Sequence, residues 1–183
     1  MGAVEIDGSS LTIEDAVAIS RGIVQVQLSN EARDNMRRSK SAVDSIIESN
    51  EVVYGINTGF GAMSSVTVGK DELEDLQKNL IRSHACGVGK NMEPEQVLLM
   101  MLFRANSLSK GVSGTRPEVV DLMISMINLR IAPVVPRIGS LGASGDLAPL
   151  SHMALSMIGE GECSVFSESG WGNSPSLEAL ENI

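Results

Sequence analysis

Glycine, serine and aspartate crowd the stretch Gly139-Ser140-Leu141-Gly142-Ala143-Ser144-Gly145-Asp146, and Leu147-Ala148-Pro149-Leu150 follows directly. On residue types alone this is a permissive turn whose Ser144 or Asp146 caps a helix running to Ile158. A phosphate cradle would need Gly-x-x-x-x-Gly-Lys, which is absent. Other places also carry reactive groups. Tyr54, the only tyrosine, precedes the glycine-rich Gly55-Ile56-Asn57-Thr58-Gly59-Phe60-Gly61. A phenol with its ordinary pKa near 10 is a poor base at neutral pH, and a tyrosine after a short apolar piece is commonly a core residue. Ser83-His84 closes a helical pattern, and no second His, Cys or carboxylate accompanies it at metal spacing, so no metal is expected. Arg104 and Asn106 follow an apolar run, where a buried arginine would need acceptors from neighbouring helices.

The string from Gly139 to Leu150 closely resembles the signature of the aromatic amino acid lyases, the family of histidine, phenylalanine and tyrosine ammonia-lyases and related aminomutases. Tyr54 to Gly61 resembles the family's tyrosine loop. Leu76-Gln77-Lys78-Asn79-Leu80-Ile81-Arg82-Ser83-His84-Ala85-Cys86-Gly87-Val88-Gly89 resembles its selectivity helix in the form carried by members that act on histidine. Arg104-Ala105-Asn106 and Gly111-Val112-Ser113-Gly114 fall in the family's order, so the resemblance covers nearly the whole chain.

That resemblance implies a prosthetic group made from the chain itself. In the family an internal Ala-Ser-Gly cyclises and loses two waters to give methylidene-imidazolone. Here Gly145 would supply the backbone nitrogen, Ala143 the carbonyl and Ser144 the exocyclic methylidene; a side chain at Gly145 would obstruct so tight a turn. The implied reaction is non-oxidative elimination of ammonia from L-histidine to trans-urocanate. The electrophile draws the amine and Tyr54 takes the β-proton. Ser83, His84 and Gly61 are implied to meet the substrate, with Arg104, Asn106 and Asp146 behind them holding the loop. His152 is expected to pack within its helix without a catalytic role. No metal, nucleotide or separate organic cofactor is implied. Two alternatives stand beside this reading. One is a tyrosine ammonia-lyase or tyrosine aminomutase, because a histidine near position 84 can also hold a phenol. The other is an inactive fragment acting only in folding or assembly.

The elements that must position these residues are mostly helical. Thr12-Ile13-Glu14-Asp15 reads as an N-cap with an acidic first turn, and Gly22 closes the helix. Asn30 or Ser29 caps a longer helix with Met36, Val43 and Ile47 on one face, ending near Asn50. Val52-Val53-Tyr54 reads as a brief extended piece, and helical periodicity returns from Asp71 to Arg82. Glu93-Pro94 starts the next helix, whose Val97 to Phe103 run is apolar on every face and predicts burial on all sides. Another helix begins at Pro117, and Ile131 to Pro136 cannot be helical. After Gly159 the composition shifts to Gly, Ser and Glu around the only tryptophan, Trp171, before Ser176 restarts a helix.

The resulting expectation is a mainly α chain: one domain over residues 1–183, with the N-terminal helical fold of the lyases and a glycine-rich active-site loop. It lacks the family's C-terminal bundle, its later Asn-Gly-Thr segment and the arginine that grips the substrate carboxylate. The last helix runs to Ile183 with no closing Gly or Pro, as in a fragment of a longer chain. The family implies a homotetramer at full length. A formal net charge of −9 without a local Lys/Arg cluster argues against nucleic-acid partners. Two cysteines at no zinc spacing, no signal peptide and no apolar run long enough to span a bilayer give a soluble, cytoplasmic reading. With aromatics at 3%, the 10 methionines are expected to fill the core.

Overall fold

Local signals set most of the element boundaries. The computed structural model describes residues 2–49, 52, 53, 55, 56, 58, 70–139, 147–181 and 183. β1 (Val4–Ile6) and β2 (Val26–Leu28) pair in parallel around α1 (Ile13–Ser20), which is capped as expected by the Thr12 hydroxyl accepting from Asp15 N. In α2 (Asn30–Ser49) it is Ser29, of the two candidates, whose Oγ accepts a backbone N–H, from Ala32. α3 (Lys70–His84) is followed by β3 (Val88–Asn91), and α4 (Pro94–Leu108) and α5 (Pro117–Asn128) both begin at a proline.

β4 (Ile131–Pro133) and β5 (Pro136–Ile138) confirm that 131–136 is not helical. α6 (Leu147–Met157) leads to a hairpin of β6 (Glu162–Ser167) and β7 (Gly170–Pro175), and α7 (Ser176–Leu180) closes the order. β4, β6 and β7 form an antiparallel sheet, while β3 pairs with β5. The sequence analysis assigns no element between Gly159 and Ser176, where the hairpin lies, while its helix restarting at Ser176 is α7.

The core gathers on α4, whose Val97, Leu98, Met101, Leu102 and Ala105 are buried against α1, α5 and β4. Met36, Met101, Met123, Met126 and Met153 are buried too, as the scarcity of aromatics led us to expect. Two expectations about α4 need correction. It is not buried on all sides, because Phe103 is 54% exposed. Arg104 is exposed rather than buried, since it continues the same outer face and needs no internal acceptors. Among the described residues no helix is long and apolar enough to cross a membrane.

Arg130 fastens the hairpin to this core. Its guanidinium lies 4.4 Å from the Phe166 ring centroid and 5.0 Å from that of Trp171. Glu95 on α4 accepts from Arg130 Nη2 at 3.4 Å and from Trp171 Nε1 at 2.9 Å, so one carboxylate bridges α4 to both. The loop Gly111-Val112-Ser113-Gly114 docks on α2, where Gly114 N donates to Ser39 Oγ at 2.9 Å.

Candidate active site

Three stretches pack together: the end of α3, the β3–β5 ladder that runs to Gly139, and the first turns of α6. Ala143, Ser144, Gly145 and Asp146 lie outside the described residues, as do Tyr54 and Gly61. Next to Tyr54, Ile56 N donates to Val53 O at 3.1 Å with Gly55 at φ 80°, a tight turn that requires glycine there.

His84, half-buried at the last position of α3, has Nδ1 2.9 Å from Leu80 O and 3.0 Å from Ser83 Oγ. Ser83 Oγ also donates to Leu80 O at 2.9 Å. A carbonyl oxygen only accepts, so Nδ1 is assigned the proton of the neutral ring and Nε2 is left as an acceptor. The helix thus sets the tautomer of the histidine that the sequence singles out. Just before it, Arg82 grips the Glu160 carboxylate, with Nε at 3.0 and 3.2 Å from its two oxygens. Arg82 holds the Glu160 carboxyl below its ordinary range; Arg82 is exposed and Glu160 half-buried.

The two ends of the 140–146 segment are closed against each other. β5 brings the chain to Gly139, and a Cβ placed on Gly139 would fall 2.7 Å from the Cβ of Ala148, in the first turn of α6. Only a residue without a side chain allows that approach. The described base of the segment is therefore pinched where Gly139 meets Ala148, and the Ala-Ser-Gly residue types that such a cyclisation uses follow Gly139 in the sequence. Further along α6, His152 Nε2 accepts from Gly87 N at 3.0 Å. Burial lowers the pKa of His152, favouring the neutral ring that this bond needs.

Arg104 lines a cleft of about 630 Å³ between α3, α4, α5 and α6, together with Arg116, Glu118 and apolar residues such as Ile81, Leu122 and Leu150. Asn106 faces elsewhere in what it bonds: its Oδ1 accepts from Gly8 N at 2.9 Å, tying the N-terminal turn to α4. Among the described residues no cluster of His, Cys, Asp and Glu could hold a metal ion; Cys86 is exposed, Cys163 buried. The contacts that sequence reasoning missed are those of Arg82, Gly139 and His152. Only Gly139 had a visible signal, as the glycine that opens the signature.

This mainly helical fold, with His84 closing α3 and Gly139 pressed against Ala148 of α6, has close parallels. A family model for aromatic amino acid lyases matches residues 11–182, and the chain belongs to that family. Within it, the chain is 51% identical over 162 residues to a histidine ammonia-lyase of Alkaliphilus oremlandii, covering 88% of this chain and 32% of that one. It is 48% identical over 178 residues to the histidine ammonia-lyase of Bacillus velezensis, covering 97% of this chain and 34% of that protein. The crystal structure of histidine ammonia-lyase from Trypanosoma cruzi superposes with a TM-score of 0.87 at 35% identity, over 99% of this chain and 34% of the other. Tyrosine aminomutase from Streptomyces globisporus gives 0.86 at 34% identity, over 99% and 33%. The chain spans about a third of the length of these relatives.

Proposed function

We propose that residues 1–183 form the N-terminal domain of a longer histidine ammonia-lyase, cytoplasmic and tetrameric, that converts L-histidine to trans-urocanate and ammonia. The observation that carries the reading is His84, whose Nδ1 meets Leu80 O and so leaves Nε2 as an acceptor at the end of α3, the helix that packs on α6. An imidazole substrate has a ring N–H to donate to that nitrogen. Methylidene-imidazolone formed from Ala143, Ser144 and Gly145 supplies an electrophile that makes the substrate's amine a leaving group.

This chain's own groups do the rest. Tyr54 takes the β-proton, which requires surroundings that stabilise its phenolate, because at its ordinary pKa near 10 it is mostly protonated at neutral pH. His84 and Ser83 orient the substrate ring, and Gly61 lets the tyrosine loop approach it. Asp146 holds the cyclising segment. Arg104, on the cleft between α3 and α6, and Asn106, through α4, support the frame.

The likeness to a tyrosine aminomutase supports a second reading, in which His84 Nε2 accepts a phenol hydroxyl. Assaying the complete lyase chain with histidine and tyrosine separates the two: urocanate formation with a preference for histidine supports the first, and a preference for tyrosine overturns it. Residues 1–183 alone are expected to be inactive, and turnover that needs no further chain would refute that part.

A further inference from the structure

His152 sits in the middle of α6, where an apolar residue would serve packing equally well, yet its ring reaches another element. Its Nε2 accepts the Gly87 N–H across 65 positions of chain. The two groups meet because Gly87 has no side chain: a Cβ there would come 3.0 Å from His152 Nε2 and 3.2 Å from the Cβ of Pro136. Gly87 follows His84 by only Ala85 and Cys86, so a shift of one carries the other with it. On the other side of Gly87, Val88 pairs with Ile138 of β5, one residue before the pinched Gly139.

We propose that His152 is a positioning residue for substrate recognition, which sets the end of α3, with Ser83 and His84, in register with the helix that leaves Ala143-Ser144-Gly145. The inference rests on the function proposed above. It assigns His152 a task separate from forming the prosthetic group, whose frame is closed by Gly139 and Ala148. Without the acceptor, the Gly87 amide loses its partner and the His84 ring drifts from the reacting centre. His84 holds the substrate ring and not the reacting atoms, so its drift weakens binding alike in the ground and transition states. Where 1 Å of misplacement can cost about 10²-fold, a smaller drift is expected to cost about tenfold in kcat/KM, carried by KM.

Two variants of the complete lyase chain test this. His152→Gln keeps an acceptor near the position of Nε2, whereas His152→Phe keeps a ring and loses the acceptor. Intact mass, thermal midpoint, kcat and KM are measured for each, on whichever of histidine and tyrosine the wild type turns over. His152→Phe is expected to lose two waters as completely as wild type and to raise KM about tenfold with kcat little changed. His152→Gln is expected to restore KM. Should His152→Phe not fold, His152→Met fills the same space flexibly and carries the same expectation. An unchanged KM in the acceptor-less variant overturns the inference, and so does a Gln variant as impaired as the Phe variant. A wild type that prefers tyrosine overturns the histidine reading while leaving this test intact; one that turns over neither overturns both.

Discussion

A single methyl group at Gly139 tests whether the frame around residues 140–146 matters for making the prosthetic group. Built on the present backbone, the new Cβ would lie 2.7 Å from the Cβ of Ala148. Carbon atoms in contact prefer roughly 3.5–4.0 Å, so β5 and α6 would have to part by about 1 Å. Overpacking of this kind costs about 1–3 kcal/mol. If that strain falls on the closed arrangement from which Gly145 N attacks the Ala143 carbonyl, cyclisation slows by roughly 5- to 150-fold. Intact-mass spectra of the complete lyase chain, taken at intervals after synthesis, would show Gly139→Ala losing its two waters more slowly than wild type. Ala148→Gly should relieve the clash and restore the rate in the double variant, although glycine in a helix costs up to about 1 kcal/mol in stability. Gly139→Ala that matures at the wild-type rate would refute the argument, as would a double variant no faster than the single one.

The remaining predictions concern the substrate, the base and the hairpin. Tyr54→Phe keeps the ring and removes only the ionisable hydroxyl; kcat in steady-state assays should fall by at least about 10²-fold, and an unchanged kcat and pH profile would move the base elsewhere. His84→Leu strands the substrate's ring N–H at a cost of about 1–3 kcal/mol, so kcat/KM should fall for histidine and much less for phenylalanine. Equal losses on both would make His84 structural. Arg130→Ala removes the cation between Phe166 and Trp171 and should destabilise by about 1–2 kcal/mol in denaturant unfolding followed by Trp171 fluorescence. A midpoint equal to wild type would mean that the hairpin holds without it.

What could be read from the sequence was what short-range chemistry decides. Thr12, Pro94 and Pro117 mark helix starts because caps and prolines act within one turn, and the structure places helices at each. Residues 162–175 escaped because Glu162 to Ser167 alternates only weakly and β7 is rich in Gly and Ser. That hairpin depends on pairing with β4 and on Arg130, neither of which a local window contains. Phe103 and Arg104 were misjudged because an apolar run gives hydrophobicity but not which face meets a neighbour.

The candidate site divides along the same line. His84 and Gly139 could be singled out by type and order. The Gly87–His152 bond and the Asn106–Gly8 bond join residues 65 and 98 positions apart, and only the folded chain reveals such partners.

The central claim is that Ala143-Ser144-Gly145 becomes the electrophile of a histidine lyase, and the rate of urocanate formation by the complete chain with and without the Ser144 hydroxyl tests it most directly. The account predicts urocanate from wild type and almost none from a folded Ser144→Ala variant, which has no hydroxyl to eliminate. Wild-type turnover by Ser144→Ala would contradict it.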